Sequence, residues 1–372
     1  MSLDKYRTAL ADFISAETGG TAAVTMGGKL GGGAIQDNWA IDVEIAGGPQ
    51  AGRHELVLRS DAVSRIAESR SRAEEVALLQ TALDAGMTVP QPFALEPTGK
   101  VIGRPFSLIR RLPGVAEPRQ VLHQLADLAE MHEAEHGDDK TSEAPGDVLA
   151  RRLGEELAKL HRVTLEAVPG GLAFLEPAGP DLVARRVADY RRHLDQLPEP
   201  QPVLEWALNW IEDHAPAIER ITLCHRDFRL GNLLIDDGRL TGVLDFEFAG
   251  WSDPDEDLGW LCARCWRFGA FAQEAGGIGS RAAFYDGYRN VAGREIDDRR
   301  IRFWEIFGTL RWAMIALDQG ERHFSGGERS LNLALTTLRA LECDYDLLHD
   351  IEAFDKPAPE KKHRHKSAGD EA

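Results

Sequence analysis

The segment between Cys224 and Gly250, CHRDFRLGNLLIDDGRLTGVLDFEFAG, constrains the fold more than any other part of the sequence. Two short apolar runs, LLI and TGVLDF, flank an Asp-Gly pair, which is a preferred turn for a tight β-hairpin. A hairpin returns the chain to the place where the first strand began. The polar residues before it, Asp227 and Asn232, should therefore lie close to Asp245 at its end.

These residue types suit the transfer of a phosphoryl group from ATP. Such a reaction needs a carboxylate next to the attacking hydroxyl and hard oxygen ligands for Mg²⁺. We expect Asp227 to be the catalytic acid-base residue and Asn232, five residues later, to be a Mg²⁺ ligand. Asp245 would be the second ligand, and Arg229 could stabilise charge on the transferred group.

The rest of the chain divides into a strand-rich first part and a helical second part. Up to about residue 112, TAAVTM, WAIDVEI and HELVLRS are typical of strands, and residues 67–86 have helical spacing. Helices are predicted at 119–136, 147–163, 180–195, 201–219, 255–273, 281–291, 300–319 and 329–348. We therefore predict an α+β chain with a small lobe at 1–112, a large lobe at 113–350 and a disordered tail at 351–372.

At the hairpin the sequence resembles the aminoglycoside phosphotransferase family, part of the protein-kinase-like superfamily. His-Arg-Asp at 225–227 and Asp-Phe-Glu at 245–247 stand where members typically carry His-Gly-Asp or His-Asn-Asp and Asp-Trp-Glu. GWSDPDEDLGWL is similar to the family's Gly-Asp-Pro-x-x-Asp-Leu segment, and the likeness covers about residues 20–345. ELAKLHRV and RLGNLLI further resemble the kinase-like domain fused to some acyl-CoA dehydrogenases.

The resemblance implies a two-lobed, protein-kinase-like fold. It would have a small antiparallel-sheet N-lobe with one helix, which binds the nucleotide, and a large, mainly helical C-lobe. It also implies ATP and Mg²⁺ as cofactors. A glycine-rich loop between two strands can lay backbone N–H groups over phosphates, and that role is expected of Gly31, Gly32 and Gly33.

A cation on the following strands should reach the α- and β-phosphates. HELVLRS places Arg59 there, and Glu75 on the next helix should pair with it, with Glu74 a near-equal alternative. Family members usually carry lysine at this position. Arginine is always charged and can grip two oxygens at once, so the exchange need not abolish ATP binding.

The acidic residues after the hairpin are expected to have a mainly structural role. Asp253 and Asp257 lie where a helix is predicted to begin, and carboxylates there can cap free N–H groups. Glu247 could contact the substrate or a metal, but it is not among the predicted site residues.

Composition limits the possible partners. The net charge is −18, which disfavours a nucleic-acid partner, and no run approaches the roughly 20 apolar residues of a membrane span. Four cysteines in a chain of 372 residues favour a reducing, cytoplasmic location. The expected partner is a small-molecule hydroxyl substrate. The resemblance favours a metabolic hydroxyl, for instance on a hydroxyacyl-CoA thioester, over an aminoglycoside; the oligomeric state stays open.

Three other functions compete with this interpretation. A nucleotide-binding pseudokinase that regulates a partner is supported by Arg59 and opposed by the intact Asp227, Asn232 and Asp245. A protein kinase is disfavoured because DPDEDLGWL follows Asp-Phe-Glu almost at once, which leaves little room for an activation loop that ends in Ala-Pro-Glu. HEAEH at 132–136 matches a zinc hydrolase pattern, but a solvated acidic helix end explains it better.

Overall fold

The computed structural model describes residues 4–30, 36–61, 70–137, 142–168, 170, 172–325, 327 and 330–356. In this part of the chain, no helix combines the length and the apolar character needed to cross a membrane. Strands dominate the first 110 residues and helices dominate the remainder, which confirms the predicted α+β class.

The N-lobe is one antiparallel sheet with the strand order β1-β2-β3-β5-β4. Side chains that alternate along its strands, such as Ile41, Val43 and Ile45, face a core that α1 covers with Leu10 and Ile14. This alternation is what a half-buried sheet requires. The elements are β1 (Thr21–Lys29), β2 (Gln36–Ala46), β3 (Gly52–Asp61), β4 (Pro92–Glu96), β5 (Phe106–Arg110), α1 (Arg7–Thr18) and α2 (Arg72–Asp84).

The start of α2 is set by a capping box. The Ser71 side chain accepts a hydrogen bond from the N–H of Glu74, and the Glu74 carboxylate accepts one from the N–H of Ser71. These reciprocal bonds satisfy two N–H groups that the first turn of a helix would otherwise leave free. Glu74 therefore faces the helix end, and its neighbour Glu75 faces the sheet.

The C-lobe is mainly helical, and α4 and α8 pack closely within it. Gly154 on α4 allows this approach, because a Cβ atom there would overlap the carbonyl oxygen of Phe284 on α8. The helices are α3 (Pro118–His136), α4 (Pro145–Leu160), α5 (Leu182–Leu194), α6 (Pro202–His214), α7 (Asp255–Cys262), α8 (Arg281–Ala292), α9 (Asp298–Phe324), α10 (Leu331–Thr336) and α11 (Leu338–Asp355).

Two small strand pairs interrupt the helices and hold the central segment. In the first pair, β6 (Thr222–Cys224) runs antiparallel to β9 (Gly250–Ser252). The second is the predicted hairpin, in which β7 (Leu233–Asp236) pairs with β8 (Arg239–Val243). Its turn residues Asp237 and Gly238 both have positive φ, at 48° and 69°, as the type I′ turn favoured by Asp-Gly requires.

Two predicted helices were too long. The helix expected at 255–273 ends at Cys262, and the chain then adopts positive φ at Phe268 and Gly269, which a right-handed helix does not allow. The helix expected at 201–219 ends at His214, because Pro216 lies just beyond it. At the other end of the lobe, α11 continues past residue 350 to Asp355.

Candidate active site

The loop that carries Asp227 is held by the carboxylate of Asp257. Asp257 lies inside α7, is fully buried, and accepts hydrogen bonds from the N–H groups of His225 (2.7 Å) and Arg226 (2.6 Å). Its Oδ2 also lies 3.0 Å from Nε2 of His161. Arg226 needs this support because its φ of 62° is in the left-handed region, which costs energy for a residue with a side chain. The helix-capping role predicted for Asp257 was therefore wrong.

His225 lies buried beneath the same loop, and its neighbours fix its tautomer. Nδ1 accepts a hydrogen bond from the N–H of Asp227 at 3.2 Å, so the ring proton is on Nε2. Nε2 donates to the carbonyl oxygen of Leu244 at 2.9 Å. Since Leu244 immediately precedes Asp245, the ring ties the loop to the end of the hairpin.

The carboxylate of Asp227 is held from both sides. Its Oδ1 accepts from Nε of Arg229 at 3.0 Å, and its Oδ2 accepts from Nδ2 of Asn232 at 2.6 Å. Nδ2 of Asn232 also donates to the backbone oxygen of Asp227 at 2.8 Å, which turns the amide oxygen Oδ1 away from Asp227. These bonds give the carboxylate a fixed direction and leave a second oxygen ligand beside it.

Asp245 directly follows the hairpin, where its backbone has a φ of 66°. Its Oδ1 is buried and accepts no hydrogen bond among the described residues; the nearest cation is Arg59, at 3.8 Å. Burial raises the pKa of Asp245, and Arg59 partly offsets that rise. A buried carboxylate oxygen without a hydrogen bond is costly, and a bound cation would remove that cost.

Glu247 lies two residues further along and belongs to the same carboxylate group. Burial is the main reason that its pKa is raised to about 8, and the carboxylates of Asp245 and Asp227 raise it further. Such crowding of carboxylates favours binding of a divalent cation. Sequence reasoning left Glu247 out, although its place in Asp-Phe-Glu was the signal that could have included it.

Arg59 and Glu75, the cation and carboxylate expected to pair, contact each other between the sheet and α2. Nη2 of Arg59 on β3 lies 2.5 Å from Oε1 of Glu75, and both side chains are buried. Arg72 also contacts Glu75, and Arg59 extends towards Asp245. Arg59 therefore links the N-lobe sheet to the carboxylates at the end of the hairpin. Gly31, Gly32 and Gly33 lie outside the described residues.

The residues present are suited to holding a divalent cation. Asp245 offers a buried oxygen without a hydrogen bond, Asn232 offers an amide oxygen, and the carboxylates of Asp227 and Glu247 are close enough to influence one another. Hard oxygen donors of this kind match Mg²⁺. The hairpin brings Asp227, Asn232 and Asp245 to the same place, as its register requires.

The other possible metal sites have structural explanations. His132 and His136 of HEAEH stack at 4.5 Å, and His132 lies within hydrogen-bond distance of Ser142. Among the described residues, the one close group of three potential ligands is elsewhere, at His161, Cys224 and Asp257. Burial raises the pKa of Cys224 well above its usual value, which opposes the thiolate that a metal would need.

Comparison with known proteins agrees with this geometry. The model of the phosphotransferase enzyme family matches residues 29–300. A mouse protein, acyl-CoA dehydrogenase family member 10, is 26% identical over 218 residues, which are 56% of this chain and 18% of that protein. The chain thus spans less than a fifth of the length of this curated relative.

Solved structures show the same fold at low sequence identity. A candidate aminoglycoside phosphotransferase from Ralstonia eutropha JMP134 aligns with a TM-score of 0.68 at 19% identity, over 93% of this chain and 98% of that one. A choline/ethanolamine kinase family protein from Mesorhizobium loti aligns with a TM-score of 0.57 at 17% identity, over 95% and 99%. The two-lobed kinase-like fold is confirmed, and the family match covers well over half of the sequence. The chain belongs to the phosphotransferase enzyme family.

Proposed function

We propose that this protein transfers the γ-phosphoryl group of ATP to a hydroxyl group of a small molecule. The observation that carries the proposal is the carboxylate of Asp227, which hydrogen bonds from Asn232 and Arg229 hold in place. Close to it lies Oδ1 of Asp245, which is buried and accepts no hydrogen bond from the described residues. Family membership supports a small-molecule phosphotransferase activity. One related structure, of the aminoglycoside phosphotransferase APH(4)-Ia, contains ADP and hygromycin B, which supports ATP as the donor.

Asp227 is the proposed acid-base residue. The acceptor oxygen attacks the γ-phosphorus, the bond to the β-phosphate oxygen breaks, and ADP leaves with that oxygen. The acceptor proton passes to Asp227, whose direction is fixed by its two hydrogen bonds. Arg229 lies on the other side of that carboxylate and can orient towards the equatorial oxygens of the phosphoryl group.

Asn232 and Asp245 would hold Mg²⁺, with Glu247 as a further oxygen donor close by. When bound, Mg²⁺ supplies positive charge to the phosphate oxygens of ATP. The amide oxygen of Asn232 faces away from Asp227, so it is available as a ligand while its nitrogen keeps Asp227 in place. The long separation of 3.8 Å between Arg59 and Asp245 leaves that carboxylate only partly neutralised.

The N-lobe residues would bind the triphosphate. Arg59, fixed by Glu75, is the proposed ligand of the α- and β-phosphates, and its guanidinium can grip two oxygens at once. Gly31, Gly32 and Gly33 are the proposed cover of the phosphates. A binding-only pseudokinase is the second candidate, because Arg59 replaces the usual lysine, but it gives no reason for the carboxylate arrangement around Asp227.

For the acceptor we propose a metabolic hydroxyl, with a hydroxyacyl-CoA thioester as one example. The similarity to the mouse acyl-CoA dehydrogenase family member 10 supports this choice. The structural neighbours include both an aminoglycoside phosphotransferase and a choline/ethanolamine kinase family protein, so the shared fold is compatible with several acceptors. Function is decided by the pocket and not by the fold.

The test is ADP release from Mg·ATP by the wild type and by Asp227→Ala. The acceptors would be an aminoglycoside, choline, homoserine, simple sugars and a hydroxyacyl-CoA. We expect release with one class of acceptor and a loss of at least about 100-fold in kcat for Asp227→Ala, the size typical of a lost acid-base residue. Nucleotide binding, followed by thermal shift, should persist in the variant. Normal turnover by Asp227→Ala would refute the role of Asp227, and nucleotide binding without turnover would favour the pseudokinase.

A further inference from the structure

Next to the loop of Asp227 lies a cluster of three arginines around one carboxylate. Arg186 comes from α5, Arg226 from the loop itself and Arg311 from α9, and all three face Glu256 of α7. The distances from Glu256 oxygens are 2.8 Å to Nη1 of Arg186, 3.5 Å to Nε of Arg226 and 4.0 Å to Nη1 of Arg311. Glu256 and Arg311 are buried, and Arg186 is nearly so. We call this group the arginine cluster.

The arginine cluster carries more positive charge than its surroundings neutralise. Among the described residues, Glu256 is the one carboxylate that forms ion pairs with these three guanidinium groups. The other acidic residues of the same segment have their own partners. Arg300 pairs with Asp253 and Asp255, and Asp257 accepts the two backbone N–H groups described above. One negative charge therefore faces three positive charges in a protein whose net charge is −18.

This imbalance affects the ionisation of the groups within the cluster. Burial lowers the pKa of Arg226 to about 10, and repulsion from Arg186 contributes further. In Glu256 the charged form is favoured instead. Burial would raise its pKa, but attraction by Arg186, Arg226 and Arg311 outweighs burial and lowers the pKa to about 2. Excess buried charge of one sign costs free energy unless a counter-charge compensates it. Binding of an anion would supply that counter-charge.

The cluster has an open edge, and Arg226 lies on it. The side chain of Arg226 is 27% exposed, whereas that of Glu256 behind it is 4% exposed. The guanidinium of Arg226 reaches the backbone of Gly250, where even a Cβ atom would lie only 3.3 Å from Nη1. Phe248, which is 40% exposed, has its ring 5.5 Å from the guanidinium of Arg311. The open edge thus combines positive charge with an apolar ring, on the loop that also carries Asp227.

We propose that the arginine cluster binds an oxyanion of the acceptor, so that the acceptor is an alcohol that also carries a carboxylate or a phosphate. This inference rests on the proposed function and narrows its substrate class. A guanidinium recognises carboxylate and phosphate through charge-assisted, often bidentate hydrogen bonds. An acceptor held by Arg226 would present its hydroxyl group to the neighbouring residue, Asp227. The same charge would repel a polycationic aminoglycoside.

The alternative is a purely structural cluster that braces the loop against α5 and α9. Arg311 does donate to the carbonyl oxygen of Arg226, and Arg186 donates to the hydroxyl of Ser252. Those two contacts account for Arg186 and Arg311. Arg226 is held less tightly, because its guanidinium makes one long ion pair to Glu256 at 3.5 Å and its side chain is 27% exposed. Arg226 is therefore the residue that separates the two explanations.

The first experiment compares matched acceptors that differ only in the anion. 3-Hydroxybutyrate is paired with its amide, and glycerol 3-phosphate with glycerol, so the pairs distinguish a carboxylate from a phosphate. We expect the wild type to have a kcat/KM at least about tenfold higher for the charged acceptor of one pair than for its neutral partner. Arg226→Gln should reduce this ratio by about tenfold, which corresponds to the loss of one charge-assisted hydrogen bond. Arg226→Lys should recover part of it. Arg192→Gln, at an exposed arginine of α5, is the control and should match the wild type.

The second experiment measures anion binding without turnover. The full chain is saturated with Mg·AMP-PNP, and its melting temperature is followed while acetate or methylphosphonate replaces chloride at constant ionic strength. Stabilisation of the wild type and of Arg192→Gln, but not of Arg226→Gln, is the expected result. The proposal would be overturned by two results together. The anions would raise the melting temperature of Arg226→Gln as much as that of the wild type, or raise neither, and the wild type would use charged and neutral acceptors equally well. Stabilisation that depends on Arg226 without ADP release from any acceptor would keep the anion site and refute the phosphotransferase function.

Discussion

Replacing Glu256 by glutamine tests how strongly the arginine cluster depends on its one carboxylate. The side chain is 4% exposed, so solvent screens its ion pairs little. Its pKa is lowered from 4.5 to about 2 by the three arginines. Because one pKa unit corresponds to about 1.4 kcal/mol, the ionised carboxylate contributes roughly 3 kcal/mol to the free energy of unfolding. Loss of one partner of a buried ion pair typically costs about 3–5 kcal/mol, which agrees with that value.

The sign of the pH dependence follows from the lowered pKa. Glu256 stabilises the native state fully above the unfolded pKa of 4.5, and this contribution is lost as the pH falls towards 2. At pH 3.5, about 1.4 kcal/mol of it should already be gone. The difference in unfolding free energy between wild type and Glu256→Gln should therefore be constant from pH 7 to about 5 and shrink below that.

Urea unfolding followed by tryptophan fluorescence can measure this difference. The chain has eight tryptophans, including the buried Trp260 beneath Arg311. Glu342→Gln is the matched control: Glu342 is 61% exposed and pairs with Arg339 on the surface of α11, so it should change stability by less than about 0.5 kcal/mol at every pH. A difference for Glu256→Gln below about 1 kcal/mol at pH 7, or one that does not shrink between pH 5 and 3.5, would refute the reasoning.

Two further changes test the nucleotide site and the helix packing. Arg59→Ala should raise the KM for ATP by about tenfold or more, and Arg59→Lys should recover most of the loss, since a cation next to Glu75 is what the site requires; equal kinetics of the two variants would contradict this. Gly154→Ala should lower the free energy of unfolding by about 1–3 kcal/mol, because its methyl group would overlap the carbonyl oxygen of Phe284. Gly28→Ala, where a Cβ meets nothing within 4 Å, is the control in the same chemical denaturation assay.

The spatial grouping of the candidate site residues could be predicted where local sequence determines it. The hairpin depends on an Asp-Gly turn between two apolar runs, and its register then fixes where Asn232 and Asp245 lie. The pairing of Arg59 with Glu75 was expected from the strand and helix periods, with Glu74 as a near-equal alternative, and the structure shows that Glu74 belongs to the helix cap. A turn signal and the periodicity of strands and helices are enough to predict these two features, because both depend on residues close together in the sequence.

The parts that were missed depend on contacts between distant segments. Asp257 was expected to cap a helix, and only the folded structure shows that its carboxylate holds the backbone of the loop about 30 residues earlier in the chain. The arginine cluster joins α5, the loop, α7 and α9. Arg226 and Glu256 lie in recognisable motifs, but no local pattern shows that Arg186 and Arg311 join them. The end of α7 at Cys262 was also unpredictable from helical spacing, because Arg267 returns to bond the carbonyl oxygen of Cys262.

The replacement of lysine by arginine at position 59 bears directly on the choice between enzyme and pseudokinase. A pseudokinase that still binds Mg·ATP would keep Asp245 as a cation ligand, but it would gain nothing from a catalytic carboxylate held in one direction at Asp227. The structure has both features: Oδ1 of Asp245 is buried and lies 3.8 Å from Arg59, and the carboxylate of Asp227 is aligned by two hydrogen bonds. Because the alignment of Asp227 serves phosphoryl transfer and not nucleotide binding, the arrangement favours a working phosphotransferase in which arginine takes the place of lysine.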